Sequence, residues 1–186
     1  MENKIIFAGP VGSGKTTAIS AISDIMVVGT EAKASDEVAQ RKSNTTVAMD
    51  YGILNLEDGG KVHLYGTPGQ ERFSFMWDIL SEGAMGFVIL IDSARPDPLS
   101  DLDFYVNAFR KSITGCGNAL VIGVTRTELN PQVDLLDSFN ERLAAMKLIV
   151  PVFEVDGRQR EDVKQMLLAL LTLLNPSTSR ARSASL

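Results

Sequence analysis

A lysine and a threonine at the end of a glycine-rich segment, Gly9-Pro10-Val11-Gly12-Ser13-Gly14-Lys15-Thr16, carry the strongest chemical signal in the chain. The spacing is G-x-x-x-x-G-K-[ST], in which glycines let the backbone bend until successive N–H groups converge on an anion. Gly9, Gly12, Ser13 and Gly14 would form that cradle, with Lys15 opposite the β- and γ-phosphates, the Thr16 hydroxyl on magnesium, and Thr17 within the same binding set. The apolar run Ile5–Ala8 before the loop reads as a buried strand, and Ala18, Ile19, Ile22 and Ile25 after it as one helix face. The loop therefore sits at the positive end of a helix. The pattern implies a nucleoside triphosphate.

The 186 residues, 45% hydrophobic and 22% charged, suffice for one domain with a core. A net charge of −5 argues against a nucleic-acid backbone or an anionic membrane as the main partner. The single cysteine, Cys116, excludes an internal disulfide and points to a reducing cytoplasm, where it reads as a small core or loop residue. A first strand starting near Met1 leaves no room for a signal peptide. No apolar stretch approaches the roughly 20 residues needed to span a bilayer, so no integral membrane segment is expected.

Apolar period and breakers place strands at Asn3–Ala8, Thr46–Leu56, Lys61–Tyr65, Ala84–Ile91, Ala119–Val124 and Ile149–Val155. Helices follow at Lys15–Met26, Phe73–Gly83, Leu99–Ile113, Pro131–Met146 and Glu161–Leu174. Glu57-Asp58-Gly59-Gly60 has hairpin turn chemistry. The polar stretch Gly29–Asn44 reads as a functional loop. The expected fold is a three-layer α/β sandwich around a six-stranded, mostly parallel sheet with one antiparallel hairpin strand, binding ligands at the carboxyl ends of the strands. One domain spans 1–175, and the Ser/Arg-rich end, 176–186, reads as a disordered tail.

Gly66-Thr67-Pro68-Gly69-Gln70-Glu71-Arg72-Phe73 resembles switch II of Ras-like small GTPases, and Thr45-Thr46-Val47-Ala48-Met49-Asp50-Tyr51-Gly52 lies where switch I would be. Together they resemble a bacterial group of Ras-like small GTPases, related to MglA-type and Roadblock-associated P-loop GTPases. The likeness runs from Ile5 to about Asn175. It implies a small G domain that binds GTP or GDP with magnesium and hydrolyses GTP slowly. Gly69 would give its N–H to the γ-phosphate, Gln70 would orient the attacking water, and Lys15 would complete the catalytic set. Thr46, or Thr45 as second choice, would bring a hydroxyl to magnesium. A Roadblock/longin-type regulator or activator, and effectors reading both switches, are the implied partners.

The chain departs from that family at two places. Gly66 stands where Ras-like proteins carry an aspartate for magnesium. In a hairpin centred on Asp58–Gly60, Asp50 falls within about one pleat of Gly66, roughly 7 Å away. MglA-like relatives similarly place a carboxylate on the preceding strand, so Asp50 is the expected replacement; a solvated strand carboxylate is the alternative. Thr125-Arg126-Thr127-Glu128 stands where the family has Asn/Thr-Lys-x-Asp. Glu128 could accept hydrogen bonds from the guanine ring N–H and amine, and Arg126 could lie over the base. Asp156, Gly157 and Arg158 would form the last base loop, with the Gly157 N–H toward the guanine oxygen.

Other residues stay open or plain. Arg41 and Arg72 are candidate catalytic arginines, neither assigned. His63 reads as a partly exposed cross-strand neighbour. Phe75, Met76 and Trp77 divide between core packing and an effector surface. A guanine-nucleotide-binding module with little hydrolysis is the alternative function.

Overall fold

Successive side chains of strand β1, Asn3–Ala8, point to opposite faces: Ile5 and Phe7 to one, Ile6 and Ala8 to the other, all at most 1% exposed. A strand buried on both faces needs helices on each side. The computed structural model, which describes residues 3–32, 47–130 and 135–174, supplies them. Helices α1 (Lys15–Ile22) and α6 (Arg160–Leu174) bring Ala18, Ile19, Ile22, Met166 and Leu170 onto Ile5, Phe7, Val88 and Leu90. On the other face, α2 (Phe75–Ser81), α3 (Pro98–Ala108), α4 (Arg110–Gly115) and α5 (Leu135–Ala145) bring Trp77, Tyr105, Ile113 and Phe139 onto Ile6, Ile89 and Ile122. Each such large apolar side chain contributes about 1.5–3 kcal/mol on burial.

The sheet continues with β2 (Val28–Ala32), β3 (Val47–Asn55), β4 (Lys61–Gly66), β5 (Gly86–Asp92), β6 (Leu120–Thr125) and β7 (Val152–Glu154). Its order is β2-β3-β4-β1-β5-β6-β7, and β3 alone runs against the rest. The carboxyl ends of β1, β4, β5, β6 and β7 therefore share one edge. β1 lies between β4 and β5, so the connections leave it in opposite directions and open a crevice there. The β3–β4 turn closes as its Asp-Gly-Gly chemistry expects: the Leu56 N–H donates to the Gly60 carbonyl at 2.8 Å, and Gly59 has φ +85°.

Three features differ from the sequence expectation. The sheet has seven strands, because β2 occupies part of what reads as a polar loop. It is an edge strand held by backbone pairing to β3, with Gly29 opposite Asp50, so it needs no apolar period. The expected helix Leu99–Ile113 is two helices. Phe109 between them has φ −94° and ψ 4°, and its ring is buried against Trp77 and Phe87 at 5.2 and 5.6 Å. Helix α1 stops at Ile22 instead of Met26: Ser23 turns extended, and its hydroxyl accepts the Ile53 N–H at 3.1 Å, tying the helix end to β3. Thr45, Thr46, Arg41, Pro131 and the tail lie outside the described residues. Among the described residues no helix is long and apolar enough to cross a membrane.

Gly9 joins β1 to the loop with φ +138°, and a Cβ there would lie 2.1 Å from the Leu90 carbonyl oxygen. Because both the backbone angle and the space exclude a side chain, Gly9→Ala should destabilise the chain by about 2–4 kcal/mol. Urea unfolding of the two proteins measures it, and a loss below about 0.5 kcal/mol would contradict this packing.

Candidate nucleotide site

Gly9, Gly12 and Gly14 all have positive φ, +138°, +82° and +93°, which bends the loop ahead of α1. Gly14 caps α1 without a side-chain acceptor, so the first N–H groups of the helix face the loop. Lys15 is 7% exposed, and its Nζ donates to the Gly9 and Pro10 carbonyls at 2.8 and 2.7 Å. Burial pulls its pKa down to about 8, only partly offset by the charge of Asp50. The cation is short of negative charge, which phosphate oxygens would provide.

The Thr16 hydroxyl donates to Asp50 Oδ2 at 2.6 Å. Asp50 stands directly opposite Gly66 in the β3–β4 register, within the pleat expected from the turn. A Cβ at Gly66 would lie 3.0 Å from Asp50 Cβ, Asp50 Oδ2 and Ile19 Cδ1. A side chain at 66 and the carboxylate of Asp50 therefore compete for one space, and here β3 fills it. Two oxygens this close, one anionic, fit magnesium, which takes few protein ligands and keeps its waters. Among the described residues no group of three or more His, Cys, Asp or Glu could hold a metal.

Gly69 comes against the loop from the other side. A Cβ on it would lie 2.6 Å from Val11 N and 2.9 Å from Lys15 Nζ. Gln70 follows, exposed, and its carbonyl accepts the Phe73 N–H at the 3-10 turn Glu71–Phe73. Phe75 on α2 is 63% exposed while Trp77 is buried, so this aromatic cluster serves surface and core separately.

A cleft of about 830 Å³ runs from Gly12–Thr17 past Thr125–Glu128 to Glu154–Arg158. That size suits a nucleotide. Buried Thr125 ties the two loops together: its hydroxyl donates to the Ser13 carbonyl at 3.2 Å, with the Ile91 carbonyl at 3.4 Å. Arg126 adopts a left-handed backbone, φ +57°, and its Nη1 donates to Asp92 Oδ2 at 3.0 Å. Asp92 ends the apolar strand β5, a position the sequence reading passed over although a carboxylate after six apolar or small residues is its signal. Glu128 is exposed on the next turn. The Thr127 hydroxyl donates to Glu154, also missed from sequence. Asp156 accepts Arg158 Nε and Nη2 at 2.8 Å each, and these bonds hold its carboxyl down at about 2. Gly157 is buried beside α1, its Cβ position 3.5 Å from the Gly14 carbonyl.

The remaining candidates do not converge on the loop. The Arg72 guanidinium stacks over Phe73 at 4.8 Å. His63 shares a 2.8 Å hydrogen bond with the Tyr51 hydroxyl on the sheet surface, as a cross-strand neighbour. Cys116 is half-buried, and burial raises its thiol pKa.

Lys15 sets a pH dependence. With the free pKa at about 8 and phosphate oxygens raising it, binding takes up a proton above that pH. Triphosphate affinity should fall about four-fold between pH 7 and about 8.5. Calorimetric titration in buffers of different ionisation enthalpy measures the proton uptake directly, and a pH-independent affinity would contradict it.

Similarity to known proteins agrees with this geometry. The protein MJ1339 of Methanocaldococcus jannaschii is 32% identical over 94 residues, which cover 50% of this chain and 53% of that one. The Ras-related protein SEC4 of Candida albicans is 26% identical over 134 residues, covering 70% and 62%. The chain thus spans between half and two thirds of the length of these relatives. The G domain of the T. maritima FeoB iron transporter superposes with a TM-score of 0.63 at 15% identity, covering 93% of this chain and 99% of that one, so the fold is that of a G domain. A family model described as a conserved hypothetical ATP binding protein matches residues 27–179, starting beyond the glycine loop and reaching past α6. With its glycine loop, G-domain fold and a match over most of its length, the chain belongs to that family of conserved hypothetical ATP binding proteins.

Proposed function

We propose that the chain is a guanine-nucleotide switch that hydrolyses GTP slowly. The closure of Gly69 onto the phosphate loop, its Cβ position 2.9 Å from Lys15 Nζ, carries this reading. A terminal phosphate held by Lys15 has to sit beside that glycine, so its presence or loss is felt at the start of Gly69–Phe73 and passed to partners. Lys15 and the loop N–H groups hold the β- and γ-phosphates. Thr16 and Asp50 hold magnesium, which when bound neutralises phosphate charge; Thr46 is a further ligand by resemblance. Gln70, next to Gly69, orients a water toward the γ-phosphorus, where the new P–O bond forms as the bond to the β-phosphate oxygen breaks. Among the described residues Arg72 is stacked on Phe73 and Arg95 pairs with Asp101 at 2.5 Å, which supports slow turnover until an arginine is supplied by a partner or by Arg41, which lies outside the described residues. That partner is proposed to be of the Roadblock/longin type, with effectors on the Gly69–Phe73 segment.

Base selection is where the family description and the residues part. The description names ATP, whereas Glu128 favours guanine, whose ring N–H and amine both donate to a carboxylate while adenine N1 accepts. Arg126, held by Asp92, and Arg158, held by Asp156, flank that end of the cleft. Similarity to Ras-related proteins supports the guanine side.

GTP should displace labelled GDP at least about ten-fold better than ATP, as one well-placed pair of charged hydrogen bonds allows. Tighter ATP binding would refute the role of Glu128. Gln70→Leu should slow single-turnover GTP hydrolysis about 100-fold with little change in GTP affinity. Equal rates would favour the alternative, a nucleotide-binding module with little hydrolysis. In Asp50→Ala, adding magnesium should no longer raise nucleotide affinity, and an unchanged response would remove Asp50 from the metal site.

A further inference from the structure

The backbone that enters the phosphate-sensing segment is held from outside the loop by two aromatic side chains. Trp77, on α2, donates its Nε1–H to the Pro68 carbonyl at 2.9 Å. Tyr105, on α3, donates its hydroxyl to the Gly69 carbonyl at 2.8 Å, across 36 positions of sequence. The two rings are in contact, centroids 5.4 Å apart, and Trp77 also stacks on Phe109 at 5.2 Å. Both are nearly sealed from water, at 4% and 2% exposure, so each polar head needs a partner and each finds the next carbonyl in line. Burial, with Asp101 and Glu71 nearby, pushes the Tyr105 phenol upward and keeps it a donor at any physiological pH. Just before this pair, the Thr67 N–H donates to the Phe7 carbonyl at 2.9 Å, so three consecutive residues are pinned.

The second of these carbonyls belongs to the Gly69–Gln70 peptide. Fixing its oxygen fixes the plane of that peptide, and with it the direction in which Gln70 leaves the loop. Gly69 is also the residue whose Cβ position lies against Val11 N and Lys15 Nζ. We propose that Tyr105 is a positioning residue for the terminal phosphate: with Trp77 it holds the Pro68 and Gly69 carbonyls, and so keeps the Gly69–Gln70 peptide closed on the loop. This rests on reading Gly69–Gln70 as the phosphate sensor. A diphosphate lacks the γ-phosphate that the Gly69 N–H and Gln70 are read to face, so the tether is expected to act on triphosphate binding alone.

Tyr105→Phe keeps the ring in its stack and removes only the hydroxyl; Trp77→Phe removes the other donor. The test measures affinities of the full chain for GDP and the non-hydrolysable GppNHp, and for ADP and AppNHp in parallel, with thermal melting as a check on folding. The ratio of triphosphate-analogue to diphosphate affinity should fall about five-fold in Tyr105→Phe, the worth of one neutral hydrogen bond, and in the same direction in Trp77→Phe. An unchanged ratio in Tyr105→Phe, whether both affinities hold or both drop together, overturns the tether. A wild type that selects adenine overturns the guanine reading only, because the ratio is then read with the adenine pair. Failure of Gln70→Leu to slow hydrolysis likewise leaves this comparison intact, since neither analogue is hydrolysed.

Discussion

The ammonium of Lys15 is withdrawn from water onto two backbone carbonyls, and much of the molecule is arranged so that this is possible. A buried charge costs free energy unless it is bonded and paired, and Lys15 has the bonds while its nearest opposite charge is Asp50. Presenting the Gly9 and Pro10 carbonyls to it requires a loop bent through three positive-φ glycines. That bend brings Gly9 onto β5, where the Leu90 carbonyl leaves no room for a side chain. The resulting shortage of negative charge is a stored preference for an anion: phosphate oxygens would relieve it, so the same burial that weakens the empty fold strengthens ligand binding.

Close approach of backbones explains the other demanding glycines. At Gly66 the missing side chain leaves space for Asp50, and at Gly69 it lets β4's exit loop reach Lys15. These approaches become a site because β1, β4, β5, β6 and β7 end on one edge, so each contributes a loop to the same crevice. Several carboxylates there are held by a named donor: Asp50 by Thr16, Asp92 by Arg126, Asp156 by Arg158. Held groups lose little further freedom when a ligand arrives, which is the advantage of preorganisation. The layer of α2 and α3 joins in through Trp77 and Tyr105, so packing on one face of the sheet is coupled to the loop at its edge.

Much of this was legible before any coordinates. The apolar runs of the buried strands and the Asp-Gly-Gly turn are signals within a few residues; so is the start of α3, where Asp97 accepts the Ser100 N–H at 2.9 Å ahead of Pro98, although the sequence reading began that helix at Leu99 without it. The closeness of Asp50 and Gly66 was legible to within about one pleat, because a hairpin register follows from its turn, and the structure pairs the two residues directly. Strand β2 was not, because an edge strand is stabilised by backbone hydrogen bonds that leave no mark on side-chain type. The break at Phe109 was hidden for a related reason, since helical period continues on both sides of a ring that turns inward.

By itself the sequence determined the phosphate loop, the class of sheet and the segments that border the site, since glycine spacing, turn chemistry and apolar period act over short stretches of chain. Only the tertiary structure decided that Arg126 reaches back to Asp92, that Thr125 staples the Thr125–Glu128 loop to Ser13, and that Tyr105 holds Gly69. Those partners lie 34, 112 and 36 positions apart, and they meet because packing fixes the offset and angle between elements. Residue type and local spacing carry no record of that offset, which emerges only when the two apolar layers close over the sheet.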